Sequence, residues 1–423
     1  MTEFTKPDHA SPADPRRKWV LFGSVAMLFI SGGGMYLIVV ALKEVASEFG
    51  WPRAVPSFAF SLQFIGGGFG GVVMGHLLDR FGYGVPALVG SLMIGFGAML
   101  VSGIDSAWQL YVIYGIMFGL AGQGSLAAPA MANIARWYDT RRGRAVGIVS
   151  SGQALAGIVW PPIFGLVMAA AGWRGMFFWF GLFALCTMLP LCLMVRHKPP
   201  GFTVPATTKR PQGPCAQHPP ARKQPVSNFS LQTQLCCAIF GCCVAMSLPL
   251  GHLVAFVTDR GHPIQNAVEV LSVMLVAAVF SRAVLLGLIS DRIGGLRALF
   301  IFSIVQCTTL ATFTVVHELA TLYALAVVYG LGYGGLFPIY SVVVRDHLPV
   351  AEIGRRTGII FFSGAVAMGF GSWMGGYLFD QTGSYTLPFL IGAGFNLGNL
   401  VIVSLLIYRL RFFLPGRRAP SPA

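Results

Sequence analysis

The chain has 423 residues, of which 55% are hydrophobic and only 10% charged, and its formal net charge is +14. A soluble protein carries about a quarter charged residues, so this composition excludes an ordinary soluble domain. The apolar residues form twelve runs, each about long enough to cross a bilayer core of ~30 Å. In chain order the runs are 19–42, 57–78, 85–103, 109–135, 145–170, 175–195, 235–258, 268–290, 298–316, 320–344, 357–379 and 387–408. The sequence therefore predicts an all-α membrane protein with twelve transmembrane helices.

The basic residues are distributed unequally between the two sets of loops. When successive loops are assigned to opposite sides, 24 of the 29 lysines and arginines lie on the side of the N-terminus and four on the other side. The positive-inside rule places the basic side in the cytoplasm. We therefore predict a multi-pass protein of the cell (inner) membrane with both termini cytoplasmic. Because topology accounts for the positive charge, we predict that nucleic acid is not a partner.

Motifs for metal binding or enzyme chemistry are missing from the sequence. Cys236, Cys237, Cys242 and Cys243 share one apolar run without histidine or carboxylate neighbours, which favours small apolar core thiols over metal ligands. No nucleophile elbow or metal-ligand spacing accompanies the serine, histidine and aspartate residues. We expect a protein that is not an enzyme and that needs no cofactor or metal.

A loop motif occurs once in each half of the chain. Gly75–Gly82 and Gly287–Gly294 both read G-x-x-x-D-R-x-G, with an offset of 212 residues. A shorter echo opens the fifth and eleventh runs, at Gly143–Gly147 and Gly354–Gly358. A proline-rich, basic segment separates the two copies, and its composition predicts a linker without a fold of its own. The predicted parts are a tail at 1–18, a six-helix bundle at 19–195, a linker at 196–232, a second bundle at 233–410 and a tail at 411–423.

The repeated motif and the six-plus-six arrangement resemble the major facilitator superfamily over almost the whole chain. The resemblance implies two helical bundles that rock about a site near the membrane midplane. The glycines of the motif allow a tight turn, and its charged residues can pair with each other or cap helix ends. We interpret Asp79, Arg80, Asp291 and Arg292 as a cytoplasmic gate without substrate contact.

Arg282 is the only lysine, arginine, aspartate or glutamate well inside an apolar run. It lies nine residues before Asp291, ~13 Å from the predicted cytoplasmic end and so close to the midplane. A charge at that depth costs at least ~3 kcal/mol on insertion scales and usually marks a functional site. No carboxylate lies within the other runs, so an anionic substrate is the expected counter-charge, and a guanidinium fits a carboxylate well. A single cation favours a monocarboxylate over a dianion such as oxalate.

Polar side chains at a similar depth are candidates for the rest of the pocket. Tyr333 lies near the midplane, where its hydroxyl either binds substrate or belongs to a packed aromatic ring. Tyr329 is one turn away and slightly farther out. In the first half, Tyr36, Gln123 and Ser151 are further candidates for substrate contact.

The entry to the fifth run carries a more specific resemblance. Residues Arg136–Gly147 are similar to the monocarboxylate transporter pattern of an aromatic pair, a basic pair and Ala-x-Gly. That family has an arginine halfway along its eighth helix, which maps onto Arg282 and implies that Arg282 anchors the carboxylate. The similarity is greatest to bacterial lactate/proton symporters. The oxalate/formate exchangers share the arginine but add a lysine in the eleventh helix, which is missing here. Animal members have an aspartate where this chain has Ala278, and an acidic residue and a lysine in the first helix that this chain lacks.

The charge of the substrate bears on coupling. A monoanion that enters against an inside-negative potential loses ~2.3 kcal/mol per 100 mV, and one accompanying proton cancels that loss. We therefore predict proton symport of a lactate- or pyruvate-type acid. We also expect the protein to act as a monomer in the lipid bilayer. Asp259, at the outer end of the seventh run, and His252, two turns deeper, are the candidate proton carriers, and a third route is that the substrate brings its own proton.

The alternative functions for the whole protein are a carboxylate antiporter of the oxalate/formate type, a sensor with a transporter fold, and an enzyme.

Overall fold

The computed structural model describes residues 16–138, 142–197, 228–348 and 353–411, and these residues form helices and short turns without strands. The helices of the first half are α1 (Arg16–Phe49), α2 (Ala54–Phe81), α3 (Gly84–Val101), α4 (107–137), and α5 (142–171) and α6 (173–195), which Gly172 separates within the stretch Arg142–Val195. Those of the second half are α7 (Asn228–Asp259), α8 (Ile264–Ile293), α9 (Gly295–Phe313), α10 (Leu319–His347), α11 (Ile353–Thr382) and α12 (Thr386–Arg411). The all-α prediction is confirmed.

Eleven helical stretches of the described chain are long and apolar enough to cross a membrane. One of them, Ile148–Val195, has 48 residues, or ~72 Å of helix, which is more than twice the bilayer core. Gly172 interrupts this stretch with a φ of 68°. The chain reverses direction there, because both ends of the stretch lie against the same part of α1. Gly152 of α5 lies against Val25, and Val195 at the end of α6 lies against Gly23. Two crossings in this stretch would give the predicted twelve, a number that stays a prediction.

Backbone turns repeat between the halves. Six described glycines have positive φ values, a conformation that glycine adopts without the strain of a Cβ atom, and each follows a helix. They form three pairs with offsets of 211, 212 and 211 residues: Gly50 with Gly261, Gly82 with Gly294, and Gly172 with Gly383. The middle pair closes the two G-x-x-x-D-R-x-G motifs. The turns therefore follow the same internal duplication as the sequence, while the predicted linker 196–232 lies mostly outside the described residues.

The loops alternate between two ends of the molecule, as the distribution of basic residues predicts. The four cations assigned to the sparsely charged side all lie at one end, which we call the predicted outer end. Each contacts another loop or helix terminus of that end: Lys43 and Arg53 bind Asp259, Arg174 binds Glu48, and Arg260 donates to the carbonyl of Thr314. The side of the membrane on which this end lies stays a prediction.

Glycines allow α10 to pack directly on α8. A Cβ atom at Gly330 would clash with the carbonyl oxygen of Met274, and one at Gly334 would clash with that of Ala278. A backbone oxygen cannot move aside as a flexible side chain can, so only glycine permits this approach. The contact brings the Gly334 carbonyl oxygen to 3.3 Å from Nε of Arg282 and so ties the arginine's helix to α10.

The two halves are in close contact at the predicted outer end, where α2 packs on α11. The Ser61 hydroxyl donates to the carbonyl of Gly369 at 2.5 Å. A Cβ atom at Gly376 would lie 2.5 Å from Oγ of Ser57 and 2.8 Å from the carbonyl oxygen of Arg53. Small residues on α11 thus let the second half lie against the backbone of α2.

Four charged residues hold this contact, and we call Lys43, Arg53, Asp259 and Asp380 the outer cluster. Arg53 donates to both carboxylate oxygens of Asp259, at 2.5 and 2.8 Å, and Lys43 Nζ lies 3.0 Å from the same carboxylate. Asp380 accepts the N–H groups of Arg53 and Ala54 at 2.7 and 2.8 Å, so it caps the N-terminus of α2. The side chains of Arg53 and Asp259 are only 12% and 23% exposed, and a bidentate, partly buried pair is stronger than an ordinary surface ion pair.

We expect Arg53→Gln or Asp259→Asn to separate the halves at the predicted outer end. Each change removes the charge-assisted bonds between α2 and α7, which are worth roughly 1.5–3 kcal/mol, or at least about a tenfold shift towards the separated arrangement. Electron paramagnetic resonance distances between spin labels on outer-end loops of the two halves would measure the shift. Arg174→Gln is the matched control, because its partner Glu48 belongs to the same half, with the atoms 2.9 Å apart. Equal distance distributions for Arg53→Gln and Arg174→Gln would contradict this role.

Candidate functional site

A cavity of ≈ 250 Å³ lies between the two halves. Its walls are apolar apart from four side chains, Tyr36 and Gln153 of the first half and Arg282 and Tyr333 of the second. The apolar lining residues are Met35, Phe64, Ala154, Met246, Leu250, Leu275, Ala278, Val279, Phe337, Ala365 and Met368. The cavity thus offers one cation and a few hydrogen-bonding groups in an otherwise hydrophobic setting, which is the usual composition of a small-molecule site.

Arg282 is presented to this cavity from a distorted part of α8. The segment Ser281–Leu285 is π-helical, a geometry that occurs as single turns and frequently at functional sites. The Ser281 hydroxyl donates to the carbonyl of Leu331 at 2.5 Å, and Nε of Arg282 donates to the carbonyl of Gly334 at 3.3 Å. Both bonds go to backbone carbonyls of α10, so α10 fixes the orientation of the guanidinium.

Within the part of the chain that the structure describes, no carboxylate pairs with Arg282. The ion pairs Lys43–Asp259, Arg53–Asp259 and Arg174–Glu48 lie at the predicted outer end, away from Arg282. The arginine side chain is nevertheless exposed to the cavity. A cation at this depth therefore has hydrogen-bonding capacity left for an anion.

Two phenols face the guanidinium, one from each half. Tyr333 and Tyr36 both line the cavity with Arg282, and each lies within electrostatic range of the guanidinium. The two tyrosines are 6% and 9% exposed, for Tyr36 and Tyr333 respectively, so their hydroxyls are directed into the protein interior. Gly157 makes room for the first of them, since a Cβ atom there would lie 2.6 Å from the Tyr36 hydroxyl oxygen. The structure thus brings Tyr36 and Tyr333 to the same cavity as Arg282, and their contact with substrate stays a prediction.

Tyr329 occupies a position behind the cavity wall. It is fully buried, and its hydroxyl donates to the carbonyl of Ala245 at 3.0 Å. Its ring lies nearly parallel to that of Tyr333, with centroids 6.2 Å apart and an interplanar angle of 18°. This geometry supports Tyr333 from behind and leaves the Tyr329 hydroxyl without access to the cavity.

The other two candidates of the first half also lie outside the cavity lining. The Gln123 side chain donates to the carbonyl of Ser31 at 2.8 Å, at the end of a π-helical segment of α4. The Ser151 hydroxyl donates to the carbonyl of Ile148 at 2.6 Å. Each side chain is hydrogen-bonded to a backbone carbonyl within the first half, and neither lines the cavity.

Gln153 lines the cavity but was not among the predicted residues. It lies four residues before Gly157, where a Cβ atom would be 2.8 Å from Leu275 of α8. Gly165, eight residues farther on, also faces α8, where a Cβ would lie 3.1 Å from Val268. Residues four apart on a helix share one face. The spacing of Gly157 and Gly165 in the sequence could therefore have indicated that Gln153 lies on the same face of α5, towards α8.

His252 and Asp259 lie at the predicted outer end rather than in the cavity lining. Nε2 of His252 is 2.8 Å from the carbonyl of Ser372, so this nitrogen donates, and Nδ1 is 3.2 Å from the hydroxyl of Tyr385. Arg53 donates to the same hydroxyl at 3.0 Å. Burial raises the pKa of Tyr385 and the nearby Arg53 opposes that effect, so the phenol stays protonated and donates to Nδ1. A directional hydrogen-bond chain thus runs from Arg53 through Tyr385 to a neutral His252, with the tautomer assigned from these bonds.

The residues of the predicted cytoplasmic gate lie at the opposite end. Arg80, Asp291 and Arg292 are exposed, and the Arg80 guanidinium lies 5.3 Å from the ring centroid of Phe81. The side chain of Asp79 is outside the described residues. The role of these four residues as a latch stays a prediction.

Comparison with known proteins assigns the family. The model of the Major Facilitator Superfamily matches residues 25–317 and 283–422. The chain is 26% identical to Monocarboxylate transporter 13 of Rattus norvegicus over 376 residues, which cover 87% of this chain and 82% of the rat protein. It is 24% identical to an agnestins efflux protein of Paecilomyces divaricatus over 416 residues, covering 95% and 88%. The solved structure of the peptide transporter POT in complex with sulfate superposes with a TM-score of 0.74 at 15% identity, covering 97% and 98% of the two chains. The predictions of a membrane transporter and against an enzyme are confirmed: the chain belongs to the major facilitator superfamily.

Proposed function

We propose that the protein carries a small monocarboxylate of the lactate or pyruvate type across the cell membrane by proton symport and alternating access. The observation that carries this proposal is the Arg282 guanidinium, which faces the cavity between the halves without a carboxylate partner among the described residues. The relatives named monocarboxylate transporter, in rat and in Bos taurus, support the same substrate class.

The geometry around Arg282 suits a carboxylate. Nε donates to Gly334, which leaves the two terminal nitrogens of the planar fork for a ligand, and such a pair can bind both oxygens of a carboxylate. Tyr36 and Tyr333 line the same cavity, so their hydroxyls can add hydrogen bonds to the carboxylate or to a 2-hydroxyl or keto oxygen. The apolar walls then accept a short alkyl group.

Size and charge narrow the substrate further. A volume of ≈ 250 Å³ corresponds to about eight water molecules at ~30 Å³ each, which suits an anion with a handful of heavy atoms. Arg282 is the one charged residue among the described lining residues. A dianion would leave one charge without a partner in an apolar site, so oxalate should bind less well than lactate.

The outer cluster supports a role for Asp259 in coupling. Its carboxylate pairs with both Arg53 and Lys43 and so joins the second half to the first. A proton on Asp259 would remove that negative charge and weaken the bonds that close the predicted outer end. Proton binding would then favour the outward-open arrangement in which Arg282 can receive substrate from outside. His252 is hydrogen-bonded to Tyr385, which accepts a hydrogen bond from Arg53. A shift of the Arg53 side chain would therefore alter the hydrogen bonding of His252.

We expect Arg282→Gln to reduce lactate uptake into proteoliposomes by at least ~30-fold, because it removes the charge of a desolvated ion pair while retaining a hydrogen-bond donor. Arg282→Lys should recover part of the uptake, since it restores the charge without the fork. Arg297→Gln is the matched control, an exposed arginine of α9 outside the cavity. The proposal fails if Arg282→Gln, with unchanged thermal unfolding, transports lactate within twofold of the unaltered protein.

We expect an inward proton gradient to drive accumulation of lactate and pyruvate, with weaker transport of oxalate, in a panel that also includes acetate and formate. Asp259→Asn should abolish gradient-driven accumulation but retain exchange of labelled for unlabelled lactate, because Arg282 is intact. Radiolabel uptake with and without the gradient, and with and without internal anion, measures both. Accumulation that ignores the gradient and requires an internal anion would instead identify a carboxylate antiporter.

A further inference from the structure

A second cavity lies on the surface of the second half, away from the central site. It is a groove of ≈ 800 Å³, more than three times the volume of the central cavity. Residues of α7 form its floor, and α11 and α12 form its walls. Most of its lining is apolar or small, including Cys237, Phe240, Gly394, Phe395 and Gly398.

The groove opens away from the protein core. Between Leu235 and Val257, every described residue of α7 is buried or half-buried except Cys237, which is exposed at the groove floor. Gly394 and Gly398 on α12 are exposed too, and a Cβ atom at either would meet nothing within 4 Å. These residues belong to helices that are long and apolar enough to cross the membrane. At this depth the surrounding phase is hydrocarbon, so the groove contacts lipid.

Two arginines continue the walls of the groove towards the predicted cytoplasmic end. Arg356 precedes the lining residue Ser363 of α11 by seven residues, and Arg409 follows the lining residue Ile402 of α12 by seven. Seven residues are two helical turns, or ~10 Å, which places each arginine on the same helix face as the groove. Arg356 donates to Gln232 of α7 at 2.6 Å, and Arg409 is exposed. An apolar groove therefore leads to a positively charged mouth near the membrane surface.

We propose that this groove binds one anionic phospholipid. One acyl chain lies along α7 between α11 and α12, and the phosphate lies at Arg409 and Arg356. A basic site between transmembrane helices at the cytoplasmic side is the arrangement that recognises anionic headgroups. An acyl chain is slender and unbranched, and the surrounding lipid supplies it. It therefore fits this groove better than a helix of another protein would.

A second copy of the chain fits this face less well. Gly394 and Gly398 have the G-x-x-x-G spacing that permits helix–helix contact in membranes. A symmetric dimer through this face would bring the same patch of both copies together, including Arg409 of each. The like charges would repel each other, whereas an anionic headgroup neutralises them.

The test compares lipids with identical acyl chains on the intact protein in detergent. In native mass spectrometry, phosphatidylglycerol should be retained and phosphatidylcholine lost at the same activation energy. Arg409→Gln should weaken retention of phosphatidylglycerol about fivefold. Gly398→Leu should abolish it by filling the groove. The matched controls are Arg297→Gln, an exposed arginine at the same end, and Gly287→Leu, an exposed glycine of α8 with nothing within 4 Å of its Cβ position.

Cysteine reactivity gives an independent readout that does not depend on retention in the gas phase. Cys237 and Cys186 are both exposed, but only Cys237 lines the groove. Added phosphatidylglycerol should slow maleimide alkylation of Cys237 and leave that of Cys186 unchanged, as read by peptide mass spectrometry. Equal retention of the two lipids, retention unaffected by Gly398→Leu, or alkylation of Cys237 at an unchanged rate would overturn the proposal. A dimer that dissociates in Gly398→Leu would assign the face to a second copy instead.

Discussion

The organisation of the site depends on one positive charge, Arg282, that has no carboxylate partner among the residues the structure describes. The expense of placing Arg282 there is partly offset by bonds to α10, which fix the guanidinium at the Gly334 carbonyl. Gly330 and Gly334 make those bonds possible, because any side chain at either position would push α10 away from α8. The arginine is therefore preorganised, which would lower the entropy lost if the proposed carboxylate binds there.

The central cavity and the outer cluster are each formed by residues from both halves. Tyr36 and Tyr333 approach Arg282 from different halves, and Arg53 and Asp259 meet from different halves at the predicted outer end. An anion bound at Arg282 would thus contact both bundles, while a proton on Asp259 would loosen the contact between them. In the proposed symport, substrate and proton would therefore act on one equilibrium between two positions of the bundles, which is how linkage couples two ligands.

The sequence predicted features that depend on local pattern and missed those that depend on contacts between the halves. Helix content, the internal repeat and the depth of Arg282 follow from apolar runs, motif spacing and a rise of 1.5 Å per residue. The pairing of Asp259 with Arg53 does not, because the two residues are 206 positions apart and belong to different bundles. Gln123 and Ser151 have suitable depth but face the first half, whereas Gln153 faces the cavity. Depth along a helix is readable from sequence, but rotation about its axis requires knowledge of the packing partner.

The most direct measurement is an experimental map of the protein with lactate bound. The account predicts lactate density between the two halves, with its carboxylate within hydrogen-bonding distance of the terminal nitrogens of Arg282 and near the hydroxyls of Tyr36 and Tyr333. Lactate density elsewhere, or Arg282 paired with a carboxylate of the protein itself, would contradict it.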